Sequence, residues 1–169
     1  MADELTIINR VIEEHQKIRS YVKLVGDSMT DREALSSLSK ARADWVPGRL
    51  EILTEKQKKL EQTLNALEEG LEHHFGYEEK YLPPILGELF MRALLIDHRE
   101  IKKEIDQTKT RVINLEVAGL SREECLVKES EIQYVIDNLS QAVEEHTYRE
   151  EIVLEMLQRA LQEKQQNKG

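Results

Sequence analysis

Apolar residues recur at alternating intervals of three and four along four long stretches of the chain. That spacing marks helices with one buried face. The first stretch runs from Asp3 to Val25, with Ile8, Val11, Ile12, Ile18, Val22 and Val25 on its stripe, and Gly26-Asp27-Ser28 is expected to end it. The second runs from Leu50 to Tyr81 through Leu53, Leu60, Leu64, Leu67 and Leu71. Pro83-Pro84 stops it, because proline lacks a backbone donor and clashes with the preceding turn. The third, Gly87 to Val117, carries Met91, Leu94, Ile101 and Ile105, with Gly119 as its expected C-terminal cap. Ser121 and Glu124 have capping-box spacing and open the fourth, which runs to Leu161 through Ile132, Ile136, Leu139, Val143, Val153 and Leu157.

Thr30 and Glu33 have the same capping spacing, which predicts a short extra helix up to Trp45, an arm on the bundle exterior, before Pro47-Gly48 breaks the pattern. No stretch reads as strand. Short connections between the second, third and fourth helices favour antiparallel neighbours. The expected fold is all-α: an up-down-up-down four-helix bundle over residues 1–161, with a short extra helix between helices 1 and 2. Residues 162–169 form a polar, frayed tail.

Composition narrows the picture. Of 169 residues, 34% are charged and only 5% aromatic, so the core must be mainly aliphatic. A net charge of -9 argues against nucleic acid or an anionic membrane as partner. No apolar run approaches the ~20 residues of a membrane span. The acidic start Met1-Ala2-Asp3-Glu4 lacks an apolar signal region, and a single cysteine, Cys125, allows no intrachain disulfide. A cytoplasmic protein is expected.

The chemistry lies where polar residues interrupt the stripes. On the second helix the leucine seam continues onto His74, Glu78 and Tyr81; on the fourth, Val143 leads to His146 and Glu150. On the first helix the stripe passes through His15, and on the third through His98. At ~1.5 Å rise per residue, His74 and His98 lie ~12 and ~17 Å from their shared end of the bundle, whereas His98 and His146 differ by ~9 Å when measured from the other end.

Four histidines and two glutamates on inward faces are costly to bury unless something satisfies them. No lysine or arginine shares the seams beside Glu78 or Glu150, and a bound cation is the simplest compensation. Six ligand residues are too many for one tetrahedral zinc. If each glutamate bridges, two metals would each receive about two nitrogens and two oxygens, leaving room for a small exogenous ligand. Nitrogen and oxygen donors without thiolate suit iron or manganese, and zinc less well.

The remaining polar candidates read differently. His73 is one position off the seam and falls near the surface or behind the ligands. Glu14, Asp97 and Glu145 each precede a candidate ligand and are expected to be solvated. Tyr77 and Tyr81 are expected to pack within the bundle, and Cys125 to be a packing residue away from the layer.

These residues resemble the hemerythrin-like (HHE cation-binding) family, over most of the chain from His15 to Glu150. The segments that carry the likeness are Glu14-His15, His74-Phe75-Gly76-Tyr77-Glu78-Glu79 with Leu82-Pro83-Pro84, Asp97-His98, and His146-Thr147-Tyr148-Arg149-Glu150-Glu151. The resemblance implies a centre of two iron ions, bridged by the glutamates and an oxo or hydroxo group, with His15, His74, Glu78, His98, His146 and Glu150 as ligands. It also marks a departure. Oxygen-carrying members have a second histidine one turn after the third-helix ligand, where this chain has Lys102. Their fourth-helix carboxylate is an aspartate at five residues, where this chain has a glutamate at four. The ligand set is more similar to that of di-iron repair proteins and iron-sensing domains.

Two functions follow from such a site. One is binding or sensing of O2, NO or iron; the other is a di-iron enzyme that reduces peroxide or nitric oxide or donates iron to damaged centres. The partner in either case is a small diatomic molecule or peroxide. A metal-free helical interaction protein is the third reading.

Overall fold

The computed structural model describes residues 3–30, 48–116 and 119–167. Its helices are α1 (Glu4–Thr30), α2 (Gly48–Tyr81), the single turn α3 (Pro83–Leu86), α4 (Glu88–Ile113) and α5 (Arg122–Gln166). The four long helices stand in a square in the order α1, α2, α4, α5, each packed on two neighbours. Every neighbouring pair runs antiparallel. Between α2 and α4, for example, Glu79 meets His98 while Gln57 meets Val112; between α5 and α1, Gln158 meets Asn9 while Glu151 meets His15. The all-α up-down-up-down bundle is therefore as the apolar periodicity predicts.

Several boundaries differ from expectation, each for a local reason. The short helix expected up to Trp45 falls on residues 31–47, outside the described residues. Helix α1 does not stop at Gly26-Asp27-Ser28 but continues to Thr30; a glycine costs a helix only ~1 kcal/mol, too little to end it by itself. Helix α4 ends at Ile113, short of Val117, with Asn114 as its cap. There the Gln57 side chain of α2 donates to the Val112 carbonyl at 2.6 Å and so satisfies an acceptor that the helix end leaves free. Gly119 has a positive φ of 78° but lies beyond the helix end and caps nothing. The capping box at Ser121 and Glu124 is complete in both directions. Helix α5 runs past Leu161 to Gln166. Tyr81 ends α2 as the prolines require, and Pro83 and Pro84 then open α3, where their missing donors cost nothing.

The interior has three layers. One apolar cluster contains Ile18, Val22, Leu60, Leu64, Leu67, Leu71, Ile101, Ile105, Ile136, Leu139 and Val143, closed off by Phe75. A second, at the α3 end, contains Ile8, Val11, Leu82, Met91, Leu94 and Leu154, with Tyr77 and Tyr81 packed against it. The stripe residues Ile12, Val153 and Leu157 are only half-buried. Between the two clusters lies a buried polar layer. His98 and His146 meet in that layer although their distances to the far end differ: His98 is 15 residues from Ile113 and His146 is 24 from Arg122. Helix α5 therefore begins ~13 Å further from the layer than α4 ends. Among the described residues no helix is long and apolar enough to cross a membrane.

Two glycines near this region should respond in opposite directions. Gly87 has a φ of +80° between α3 and α4, so Gly87→Ala should destabilise by about 1–2 kcal/mol. Gly76 is helical and exposed, and an added Cβ meets nothing within 4 Å; Gly76→Ala should stabilise by ~0.5–1 kcal/mol. Denaturant unfolding of both variants checks this, and equal shifts would contradict the assigned backbone.

Candidate metal centre

Each long helix sends at least one histidine into the polar layer because that residue continues its apolar stripe. His15 comes from α1, His74 and Glu78 from α2, His98 from α4, and His146 and Glu150 from α5. None of the six is more than 1% exposed. All the candidates on the inward faces thus come together, whereas His73 lies on the surface.

Glu78 stands at the centre. Its Oε1 lies 2.6 Å from His74 Nε2 and 3.5 Å from His15 Nε2, and its Oε2 lies 3.0 Å from His98 Nε2. Glu150 Oε2 lies 3.4 Å from His15 Nε2 and 3.5 Å from His146 Nε2. The imidazoles pair edge to face, His15 with His74 at 4.8 Å and His98 with His146 at 5.0 Å between centroids. The donor atoms form two sets, one from His15, His74, Glu78 and Glu150 and one from Glu78, His98 and His146, each within 4.8 Å.

The outer nitrogen of every imidazole is held by a carboxylate from the next helix around the square. Glu14 of α1 accepts from His74 Nδ1 (3.0 Å), Glu79 of α2 from His98 Nδ1 (2.9 Å), Asp97 of α4 from His146 Nδ1 (3.3 Å), and Glu151 of α5 from His15 Nδ1 (3.3 Å). The ring closes. An Nδ1–H committed outward leaves the Nε2 lone pair facing the layer, the form a metal ligand needs. Arginines in turn hold three of these carboxylates: Arg10 on Glu14 (2.9 Å), Arg149 on Asp97 (2.9 Å), and Arg19 on both oxygens of Glu151 (2.8 and 2.7 Å).

Glu14 and Asp97 are therefore not the solvated residues that their off-stripe positions suggest; both are partly buried against a histidine. Glu145 is exposed, as expected, and accepts from Gln141. Glu79 and Glu151 were missed by the stripe argument. Their only signal is adjacency: each follows a core glutamate, as Glu14 and Asp97 each precede a core histidine. Phe75 was missed as well. It stacks on His98 with centroids 3.9 Å apart and an interplanar angle of 12°. Tyr77 has the packing role expected, with the Arg10 guanidinium 3.8 Å above its ring. Burial and the neighbouring Glu124 and Glu129 push the Cys125 thiol up, so it stays protonated at neutral pH. Lys102 is exposed, with its ammonium 5.8 Å from the Phe75 ring centre.

The layer's electrostatics show how little compensates it. Burial opposes a charge on His15, but attraction to Glu150 and Glu78 outweighs it and raises His15 to about 9. Burial pushes Glu150 up to about 7, with the Glu78 charge adding to the rise and His15 opposing it. Burial would also raise Glu78, yet the histidines around it hold it well below the usual carboxylate range. Burial lowers His146 to about 4.

Within the layer eight atoms have no hydrogen-bond partner: Nε2 of His15, His74, His98 and His146, and both oxygens of Glu78 and Glu150. All are buried, and they converge within the layer. An orphaned buried polar group costs about 1–3 kcal/mol, more if charged. Cations placed among them would satisfy all eight, and the donor set of imidazole nitrogens and carboxylate oxygens fits such ions. Burial opposes a charge on His98 as well, but Glu78 and Glu79 outweigh it and raise that histidine too. Protons on His15 and His98 are therefore the positive charge the layer can otherwise recruit, the nearby arginines being held by the outer carboxylates.

The pH dependence of the metal-free fold follows. A histidine raised from 6.5 to about 9 stabilises the fold below pH 6.5 and loses that contribution as pH rises through 9. Glu150, raised from 4.5 to about 7, loses its contribution over the interval between. The metal-free chain should therefore lose stability between pH 6.5 and 9. Thermal unfolding across that range tests it, and a flat or rising profile would be inconsistent with a protonated His15.

Residues 6–157 match the profile of the hemerythrin HHE cation-binding domain, which takes in every residue of the layer and of the ring around it. Comparisons with curated proteins and with solved structures returned no significant match. With nearly the whole chain matched and a buried cluster of histidines and glutamates that can hold metal, the protein belongs to the hemerythrin HHE cation-binding domain family.

Proposed function

We propose that this chain is a non-haem di-iron protein that binds or senses a small molecule, O2 or NO, or iron itself. The ligands in this reading are His15, His74, Glu78, His98, His146 and Glu150. The observation that carries it is the division of the inward donors into two sets that share Glu78, with Glu150 reaching a histidine of each pair. One ion cannot use four imidazoles and two carboxylates spread in this way, and two ions can. The absence of thiolate favours iron or manganese over zinc.

When bound, a pair of irons supplies redox chemistry and open coordination positions. The chain's own residues supply the rest. The outer carboxylates hold the imidazoles at fixed orientation, and the two glutamates stand between the histidine pairs. Hydrophobic side chains above and below the layer keep bulk water from it. That enclosure supports a binding or sensing role. Sustained turnover of peroxide or nitric oxide by the loaded protein would move the reading to catalysis.

Iron loading under anaerobic conditions, followed by air, is expected to give about two irons per chain and charge-transfer absorption in the near ultraviolet. A well-loaded protein with one ion, or with zinc alone after iron supply, would overturn the di-iron reading. His74→Ala should lose most of the iron and His73→Ala should keep it, because only His74 lies in the layer. Uptake should also release protons and weaken as the pH falls below 7, since His15 (about 9) and Glu150 (about 7) must give up protons to serve as ligands. Metal content by elemental analysis and proton release by indicator dye check both expectations.

A further inference from the structure

The layer has an internal pseudo-twofold relation. Glu14-His15 of α1 corresponds to Asp97-His98 of α4, and His74 with Glu78-Glu79 of α2 corresponds to His146 with Glu150-Glu151 of α5. The outer contacts obey it: Glu14 on His74 matches Asp97 on His146, and Glu79 on His98 matches Glu151 on His15. Under this relation Phe75 corresponds to Thr147, and Lys102 to Arg19. These two pairs break the symmetry.

At the α2–α4 side the Phe75 ring lies flat against His98. At the α1–α5 side the matching residue is the much smaller Thr147. Its hydroxyl donates to the Glu144 carbonyl at 3.1 Å and lies 3.5 Å from Arg19 Nη2. A surface groove of about 810 Å³ opens on this side, with one lysine, Lys23 of α1, and three carboxylates, Asp137, Glu144 and Glu145 of α5, along its walls besides Arg19. Its inner end is Arg19, whose guanidinium holds both oxygens of Glu151, which in turn holds His15.

We propose that divalent metal ions enter and leave the cluster along this α1–α5 groove, and that Arg19 is the door. The inference rests on the metal-site reading above. Arg19 is 38% exposed and long enough to swing into the groove. Doing so uncovers Thr147 and strips two donors from the Glu151 carboxylate. A cation arriving past Asp137 and Glu144 can then take the place of the guanidinium charge at Glu151, so that carboxylate stays neutralised while the ion passes to His15 and Glu150. The α2–α4 side is built differently. Lys102 makes no bond to Glu79 among the described contacts, and Phe75 stacks on His98.

Cobalt(II) uptake and release test this, read from its visible absorption and free of redox change. Uptake is followed by rapid mixing with metal-free protein, and release by adding excess chelator. Arg19→Ala should raise both rates about tenfold, because a two-pronged, charge-assisted contact is lost from the path. Affinity should stay within about twofold, because it is the ratio of two rates that rise together. Lys102→Ala should leave both rates as in the wild type. If Arg19→Ala speeds release alone, the arginine only holds Glu151 and His15 in place, and the door is refuted. If Lys102→Ala matches Arg19→Ala, or Arg19→Ala changes neither rate, the route lies elsewhere. A wild-type chain that takes up no cobalt overturns the metal-site reading itself, a different result from altered rates at normal loading.

Discussion

The bundle is organised around the desolvation of two carboxylates and four imidazoles placed midway along its core. Buried charge without compensation costs several kcal/mol per group, and here the groups lie between two clusters of buried hydrophobic side chains. The polarised pKa values express this cost. Glu150 is pushed towards its neutral form and His146 is kept neutral, while His15 is driven to hold a proton. Every other feature of the centre reduces that cost or prepares it to be met by a cation.

The ring of outer carboxylates is the main device. Each helix gives a carboxylate to the histidine of the next, so α1, α2, α4 and α5 are joined head to tail at one level. Charge-assisted hydrogen bonds of this kind are worth about 1.5–3 kcal/mol each. They also fix the height and rotation of all four helices together, since loosening one imidazole frees a carboxylate on its neighbour. The arginines on three of the four carboxylates put a positive charge outside the ring, which keeps the layer itself free of lysine and arginine.

The centre is nearly symmetric in its polar groups and asymmetric in its packing. Phe75 and Thr147 occupy equivalent places with very different bulk: an aromatic ring stacks on His98 on one side, and a groove runs beside Arg19 on the other. A symmetric arrangement of donors serves to share charge between two positions, whereas an asymmetric wall decides from which side the outside reaches them. These two demands are met by different residues and can vary independently.

Much of this was legible in the sequence, because both the fold and the inner donors obey one rule: a residue that continues the apolar stripe faces the core. That rule alone placed His15, His74, Glu78, His98, His146 and Glu150 in one layer, put His73 outside it, and called for a four-helix bundle. The ring of Glu14, Glu79, Asp97 and Glu151 was not legible, since these residues lie off the stripe and look like ordinary solvated carboxylates. Only the antiparallel packing of neighbouring helices brings each of them against a histidine 19 to 136 residues away in the chain. The end of α4 was hidden for a similar reason, being set by a glutamine of another helix. Periodicity is local, and it fixes which face of a helix is buried. The height and rotation at which helices meet are settled by contacts between them, so the inner donors belong to the sequence and their outer partners, the Phe75 stack and the Arg19 groove belong to the tertiary structure.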